Sequence, residues 1–370
     1  MAGIYIHVPF CQSRCAYCDF YSTTLSEEWK SQYLSALQRE MQARRYEVGD
    51  TEIDTLYLGG GTPSQLPPTL LERLFGMVTG LFSLKENAEV TVEANPDDVT
   101  PQWLESLHRT PTNRISMGVQ TFDDNLLALL RRRHTAIQAF EAVEACKTAG
   151  YENLSLDLIY GLPGQSIGMW RKDLAQIAKM DVPHLSAYAL QYEPGTELYR
   201  MRQNGNVEEA DEELSLEMYQ ELCSAASAMG MEHYEISNFS RPGKRSRHNS
   251  GYWSQEPYWG FGPGAHSYDG ARCRRWNNAQ LKAYIEAEGD VPHGSETLSD
   301  EECYDELVMT RLRTIDGLPL SLLSQENRIY CLRMAERHLN SGKMTLKDDV
   351  LRIEESGIFV SDDILSDLMR

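Results

Sequence analysis

The sequence predicts an α/β protein whose parallel sheet forms a barrel or part of one, followed by a small, mainly helical unit at its C-terminal end. Two observations support this prediction. Between residue 4 and about residue 190, short apolar segments alternate with amphipathic helical segments, which is typical of a parallel sheet with helices outside it. Beyond about residue 291 the alternation stops, and helical segments lead into one hairpin.

Six apolar runs have the length of strands, and a loop follows each of them. In chain order they are residues 4–8, 55–58, 90–94, 115–119, 154–159 and 184–190. The main helical candidates are residues 27–45, 69–81, 101–108, 123–132, 137–149 and 166–179. Barrels of this kind carry their chemistry at the C-terminal ends of the strands. We therefore expect the functional residues to come directly after the strands.

Polar or glycine-rich positions do follow all six strands. They are Cys11, residues 59–63, residues 95–96, Gln120, residues 161–164 and Gln191. Glu93 and Asp157 lie near the ends of their own strands. Strand ends that converge on such residues predict one shared site.

The rest of the chain divides into two segments. Residues 196–290 are rich in glycine, proline and aromatic residues, and we expect an irregular extension of the core formed by residues 1–195. Residues 291–370 read as helices followed by a hairpin at 351–360, with its turn at Glu355-Ser356-Gly357, which predicts a winged-helix-like domain. That segment has 9 basic and 16 acidic residues, so a DNA-reading wing is not expected.

Charge and composition exclude several classes of protein. The net charge is −20, which repels phosphate backbones and argues against a nucleic-acid partner. The chain shows no secretory signal and no run that approaches the ~20 apolar residues of a membrane span. We therefore expect a soluble, cytoplasmic protein.

Three of the eight cysteines, Cys11, Cys15 and Cys18, form a CxxxCxxC pattern. Three thiolates can hold three irons of a [4Fe–4S] cluster and leave the fourth iron open. An open iron can chelate the methionine moiety of S-adenosylmethionine (SAM), whose sulfonium an electron from the cluster then cleaves to a radical. A zinc site and one face of a helix are the alternatives, although no second pair of zinc ligands follows and Val8-Pro9 disfavours a helix.

A glycine-rich segment, Gly59-Gly60-Gly61-Thr62-Pro63, follows the second strand and lacks the lysine and spacing of a phosphate loop. Its glycines can expose backbone groups to a ligand such as the amino group of a methionine moiety. A plain tight turn is the alternative. Elsewhere, Glu93, Gln120, Arg132 and Asp157 are polar where we expect an apolar barrel interior, and a buried carboxylate needs a donor or a ligand. A buried ion pair between Asp157 and Arg132 is the alternative there.

Several spaced motifs together resemble one family. They are YIHVPFC (residues 5–11), CxxxCxYCDFYS, LGGGTPS, SMGVQTF, RRRH, LDLIYGLPGQ, HNSGYW and TRLRTIDGL. In this order, over nearly the whole chain, they resemble HemW, the heme-chaperone branch of the oxygen-independent coproporphyrinogen oxidase family. The resemblance implies a partial (β/α)6 radical SAM barrel with a small helical C-terminal domain.

The same resemblance implies the site residues. Cys11, Cys15 and Cys18 match the ligands of the [4Fe–4S] cluster. The residues that match the family's SAM-contacting positions are Tyr5, Tyr17, Gly60, Gly61, Thr62, Glu93, Gln120, Arg132 and Asp157. Gln191 matches a further such position in an alignment that rests on the length of its loop.

Two departures from the porphyrinogen oxidases indicate the branch. The oxidases carry a further cysteine at the position where this chain has Phe20. They also carry an N-terminal extension, and a first strand that begins at Ile4 leaves no room for one here. Both features favour a chaperone that binds heme and delivers it to apo-hemoproteins of the respiratory chain, with peripheral membrane contact, and that has no oxidase activity. A SAM-radical coproporphyrinogen oxidase and a radical enzyme for another substrate are the alternatives.

A basic segment, residues 241–247, runs directly into the HNSGYW motif at residues 248–253. Histidine is a common axial ligand of heme iron, clustered arginine and lysine suit propionates, and aromatic rings offer a flat apolar surface. We expect His248 to contact heme, with His7 and His266 as alternatives. The competing interpretation is a structural loop in which His248 satisfies a buried hydrogen bond.

Overall fold

Six parallel strands form the centre of the molecule in the computed structural model, which describes residues 1–370. The strands are β1 (Gly3–Val8), β2 (Ile53–Gly60), β3 (Leu84–Ala94), β4 (Arg114–Gln120), β5 (Leu154–Tyr160) and β6 (His184–Ala189). The helices between them are α1 (Glu27–Ala43), α2 (Arg45–Val48), α3 (Pro68–Leu81), α4 (Pro101–Leu107), α5 (Asp124–Leu129), α6 (Ala136–Thr148) and α7 (Ile167–Met180). The predicted alternation is confirmed, although β3 begins six residues before the predicted strand.

The sheet is an open barrel because its first and last parallel strands do not pair with each other. The six strands are hydrogen-bonded in sequential order from β1 to β6. The outer edge of β1 pairs instead with β9 (Tyr258–Phe261), and the outer edge of β6 pairs with β8 (Asn238–Ser240). The barrel is therefore partial, as the family resemblance implied.

Alternation along the strands separates an apolar outer face from a polar inner face. On β1, Ile4, Ile6 and Val8 are fully buried and belong to the main hydrophobic core, whereas Tyr5 and His7 share the opposite face. The other strands place polar side chains in the same register. These are Thr55, Tyr57, Thr91, Glu93, Arg114, Ser116, Ser155, Asp157, His184 and Ser186. The expectation of an apolar barrel interior was therefore wrong.

Residues 196–290 are more regular than the sequence predicted. They form α8 (Glu197–Gln203), α9 (Glu212–Ala228), β7 (Glu232–Glu235), α10 (Arg247–Trp253), β10 (His266–Tyr268), β11 (Cys273–Asn277) and α11 (Leu281–Glu286), in addition to β8 and β9. With β12 (His293–Thr297), these strands extend both edges of the barrel sheet to twelve strands. These strands are only three to five residues long and several lie beside glycines, so they do not appear as apolar runs in the sequence.

The C-terminal segment has its own small hydrophobic core. It consists of α12 (Asp300–Arg311), β13 (Leu318–Pro319), α13 (Gln325–Asn340), β14 (Met344–Lys347), β15 (Val350–Ile353), α14 (Glu355–Ile358) and α15 (Ser361–Leu368). The predicted hairpin at 351–360 was wrong, because the turn lies at Asp348 and Asp349, both in the left-handed region. Aspartate tolerates that region, and two such residues match the twist of a two-residue hairpin turn.

The division into units at 195 and 290 stays a proposal. The separate C-terminal core supports a boundary near residue 298, since β12 still pairs within the large sheet. No helix of the structure has both the length and the apolar content needed to cross a bilayer.

Candidate functional site

The cysteine loop is closed at its base by backbone hydrogen bonds. Directly after β1, the Cys11 amide donates to the Thr23 carbonyl at 2.9 Å, and the Thr23 amide donates to the Pro9 carbonyl at 2.7 Å. Further along the loop, the Ala16 amide donates to the carbonyl of Leu130 at 3.0 Å, which ties the loop to the end of α5. No helix spans residues 11–18, so the alternative of a helical stripe was wrong.

All three thiols of the loop are free and partly exposed, and polar groups from two other loops reach two of them. The Thr62 hydroxyl donates to Cys11 Sγ at 3.3 Å, and Arg132 Nη1 donates to Cys15 Sγ at 3.3 Å. Burial raises the pKa of Cys11 and raises the pKa of Cys18 to about 11. Hydrogen-bond donors and a cation at the sulfurs favour the thiolate, which is the form that binds a metal.

The donor set suits a cluster better than a single zinc ion. A mononuclear zinc site needs four ligands around one point, and no group of three His, Cys, Asp or Glu side chains in the chain converges in that way. In a [4Fe–4S] cluster each thiolate binds a different iron, so convergence on one point is not required. Three thiols on one anchored loop fit that arrangement.

The glycine-rich loop after β2 packs tightly against β1. Gly60 has a φ of +106°, and a Cβ there would lie 2.5 Å from the His7 ring. A Cβ on Gly61 would lie 2.8 Å from the Val8 carbonyl oxygen. These glycines are therefore required by the fold, whether or not a ligand approaches them.

Glu93 connects that loop to the barrel interior. Its carboxylate accepts hydrogen bonds from the Gly60 amide at 3.1 Å and from the Tyr57 hydroxyl at 2.8 Å. Burial raises the pKa of Glu93 to about 7 and that of Asp157 to about 6. A cation bound beside either carboxyl group would lower its pKa and favour its charged form.

Arg132 joins the cysteine loop to the fourth strand rather than to Asp157. Its Nη2 donates to Asn95 Oδ1 and to the Gly118 carbonyl, both at 2.6 Å, so the alternative of an Asp157–Arg132 ion pair was wrong. A Cβ on Gly118 would lie 2.7 Å from the side-chain nitrogen Nε2 of Gln120. Gln120 itself has a φ of +72°, an unusual conformation held at the end of β4.

The structure thus brings most of the predicted site residues together. Tyr17 lies on the cysteine loop, where burial raises the pKa of its hydroxyl and the nearby Arg132 opposes that rise. The Tyr5 ring stacks at 6.1 Å from the Tyr57 ring inside the barrel. Gln191 is different, because it is exposed after β6 and makes no side-chain hydrogen bond.

Two inward residues, Arg114 and Tyr57, were missed by reasoning from sequence. Arg114 is 1% exposed, its Nε has no partner, and its charge lies near Glu93 and Asp157. Polar residues at every second position, such as Arg114 and Ser116, were the signal that could have found this inner face.

His248 lies at the other end of the barrel from the cysteine loop, and its placement contradicts the expected heme contact. Its Nδ1 is bonded to Thr55 Oγ1 and its Nε2 to the Tyr252 hydroxyl, both at 2.8 Å, and the residue is 3% exposed. No ring nitrogen is free for iron, so the structural interpretation of this histidine is the better one. His7 is also excluded as a ligand in this state, because it contacts the Tyr5 hydroxyl and the Tyr21 carbonyl.

Three of the four cationic side chains in the basic segment before His248 have partners, and Lys244 is the exception. Arg245 forms ion pairs with Glu232 at 2.8 Å and Asp316 at 3.1 Å, and Arg241 pairs with Asp181. The Arg247 side chain donates to the Asn87 carbonyl at 2.6 Å. These cations hold the fold together, and this removes the argument that they await propionates.

An open cleft of about 890 Å³ lies beside the cysteine loop. Asp19, Phe20 and Tyr21, which follow the last cysteine, form part of its wall, and eight Tyr, Trp and Phe side chains line it in total. Phe20 is 63% exposed. A volume of this size falls within the ~300–1,000 Å³ range of small-molecule and cofactor sites.

Comparison with known proteins agrees with this architecture. Residues 5–177 match the Radical SAM superfamily. The chain is 38% identical to the "Heme chaperone HemW" of Bacillus subtilis over 86% of this chain and 85% of that protein. It is 35% identical to the protein of the same name from Mycobacterium tuberculosis H37Rv, over 99% and 94%.

A solved structure shows the same fold at lower identity. The Escherichia coli coproporphyrinogen III oxidase HemN, described as a radical SAM enzyme, superimposes with a TM-score of 0.85 at 21% identity, covering 100% of this chain and 90% of that one. This chain has a partial barrel with a cysteine loop, and its sequence is 35–38% identical to HemW proteins over most of their length. It therefore belongs to the HemW family of the radical SAM superfamily.

Proposed function

We propose that this protein is a heme chaperone that holds a [4Fe–4S] cluster, SAM and heme. The observation that supports it most strongly is that the cysteine loop itself forms a wall of the aromatic cleft, so that cluster and heme sites would be neighbours. Relatives named as heme chaperones, 34–38% identical over at least 81% of their length, support the same conclusion.

In this proposal Cys11, Cys15 and Cys18 hold the cluster, which supplies an open iron for SAM and an electron when both are bound. The residues proposed to contact SAM are Tyr5, Tyr17, Gly60, Gly61, Thr62, Glu93, Gln120, Arg132, Asp157 and Gln191. Glu93 is supported by its hydrogen bond to Gly60 and its buried carboxylate, which suits the ammonium group of a methionine moiety. Gln191 has the least support, since its side chain is exposed.

A coproporphyrinogen oxidase is the second candidate, and the superposition with HemN is the observation in its favour. At 21% identity that superposition shows the fold alone. The exposed Phe20 side chain at the edge of the cleft, where the oxidases have a cysteine, favours the chaperone. We therefore propose that the protein binds heme and does not convert coproporphyrinogen.

The proposal extends to where the protein works and what receives the heme. We propose a cytoplasmic protein that delivers heme to apo-hemoproteins of the respiratory chain through peripheral contact at the membrane. A net charge of −20 disfavours direct adsorption to anionic lipid, so the contact would be made with the recipient protein.

Anaerobic reconstitution followed by a heme titration and a coproporphyrinogen assay tests the proposal. We expect stoichiometric heme binding and no protoporphyrinogen. Multiple turnovers of coproporphyrinogen would establish the oxidase instead.

A further inference from the structure

The cleft beside the cysteine loop is formed by two walls of different origin. One wall comes from β1 and from Asp19, Phe20 and Tyr21, and the other from the sheet extension at β9–β11 together with the C-terminal end of α10 and with α12. Its rings include Tyr252, Trp253, Tyr258, Tyr268 and Trp276. Several flat apolar surfaces around one open space suit a planar aromatic ligand.

One histidine, His266 at the start of β10, lines this cleft with a free imidazole. Seven of the nine histidines make a side-chain hydrogen bond, and His266 and His108 make none. The His266 ring stacks on Trp276 with centroids 6.2 Å apart, which fixes its plane. Burial and the neighbouring Arg274 lower the pKa of His266, so the ring is neutral at pH 7, the form that ligates a metal.

Nine of the twenty residues that line the cleft are hydrophobic, and most of the others carry polar side chains. Trp253 Nε1 and Asn277 Oδ1 are buried without a hydrogen-bond partner. The charged side chains are Asp19, Glu306 and Arg274, of which Arg274 pairs with Glu306. Aromatic rings that offer flat contact surfaces, together with polar groups that can orient a ligand, are typical of a cofactor site.

We propose that heme binds in this cleft and that His266 is an axial ligand of its iron. This inference rests on the proposed function, because it names the place where a heme chaperone would hold its cargo. A free, neutral imidazole in a cavity of about 890 Å³ with eight aromatic side chains provides two of the features that bind an iron porphyrin, a nitrogen ligand and flat surfaces for the ring. It also places the heme beside the cysteine loop, with the Tyr252 ring between the cleft and His248.

The test compares His266→Ala and His266→Met with His108→Ala in the anaerobically reconstituted full chain. His108 is a matched control, since its ring also lacks a hydrogen bond and stacks on an aromatic side chain, Tyr151, at 5.2 Å. The probe is hemin, with titration followed at the Soret band. We expect His266→Ala to weaken hemin binding at least ~10-fold, which corresponds to the ~1.4 kcal/mol of one lost strong interaction.

The methionine variant separates ligation from packing. His266→Met keeps a side chain of similar size and offers sulfur, so the Soret maximum and the spin state should change while binding persists. Restoration of the wild-type spectrum by added imidazole in His266→Ala would support ligation.

The outcomes distinguish this inference from the proposed function. Wild-type protein that binds no hemin would overturn both. Wild-type binding together with unchanged affinity and spectrum in both His266 variants would overturn the placement of heme and leave the chaperone function standing. Unchanged far-UV circular dichroism and iron content verify that each variant is folded.

Discussion

Arg132 Nη1 donates a hydrogen bond to Cys15 Sγ at 3.3 Å and so connects the loop after α5 with the loop after β1. The same guanidinium holds Asn95 and Gly118, which lie at the ends of β3 and β4. One side chain therefore fixes the cysteine loop relative to two of the strand ends proposed to bind SAM.

Replacement of Arg132 should change the electronic properties of the cluster. Arg132→Met removes a positive charge and a donor to a ligand sulfur, and both stabilise the more negative reduced cluster. We expect a lower reduction potential, measured by a redox titration followed by EPR. Arg131→Met is the control, because the Arg131 side chain is 60% exposed and pairs with Glu197 instead. Equal potentials in the two variants would show that the contact with Cys15 has no influence.

Loss of the three loop cysteines should abolish the cluster. After anaerobic reconstitution, wild-type protein should bind about four irons per chain, and Cys11→Ala, Cys15→Ala and Cys18→Ala combined should bind close to none. Cys223→Ala, outside the loop, should retain the wild-type iron content. Iron and sulfide analysis measures this. A full complement of iron in the triple variant would contradict the assignment.

Stability of the cofactor-free protein should fall as the pH rises through the titration of Glu93. Its pKa is raised from an ordinary 4.5 to about 7. Between these two values the folded state binds more protons than the unfolded state, so the free energy of unfolding decreases with increasing pH. The full loss is about 3 kcal/mol and is reached above pH 7.

Urea denaturation at pH 5.5 and pH 8 measures about 2 kcal/mol of that loss, because the remainder lies below pH 5.5. Glu93→Gln cannot ionise, so its stability should decline less between the two pH values than that of wild type. Glu105→Gln, at an exposed position of α4, should behave as wild type. The same decline in Glu93→Gln as in wild type would show that another group is responsible.

Replacement of His248 should destabilise the fold and leave the proposed axial ligand of heme, His266, in place. His248→Ala removes two hydrogen bonds and leaves the hydroxyls of Thr55 and Tyr252 without their partner, which costs about 2–4 kcal/mol. Chemical denaturation should show that loss, while the hemin spectrum of the folded variant stays that of wild type. A shifted Soret band would return His248 to the list of ligands.

Much of the barrel could be predicted because its outer face is apolar. Runs such as Ile4, Ile6 and Val8 pack on helices, and the resulting alternation of strands and helices was visible in the sequence. The inner face was misjudged, since Thr55, Tyr57 and Arg114 look like interruptions of strands until the register shows that they share one side.

The parts that were wrong depend on contacts between distant residues. The sequence suggested that His248, next to basic residues, was available to bind heme iron. Only the structure shows that both of its ring nitrogens are hydrogen-bonded, one to Thr55 and one to Tyr252. The hairpin was misplaced because two aspartates, Asp348 and Asp349, form its turn where a glycine is the usual signal. His266 could be named as an alternative, but its cleft is assembled from segments more than two hundred residues apart.

The most direct test of the central claim is one experiment on the reconstituted wild-type protein. Hemin is titrated under anaerobic conditions, and the same preparation is then incubated with coproporphyrinogen III, SAM and a reductant. A heme chaperone should bind about one hemin per chain and should form no protoporphyrinogen. Absence of hemin binding, or repeated turnover of coproporphyrinogen, would contradict the account.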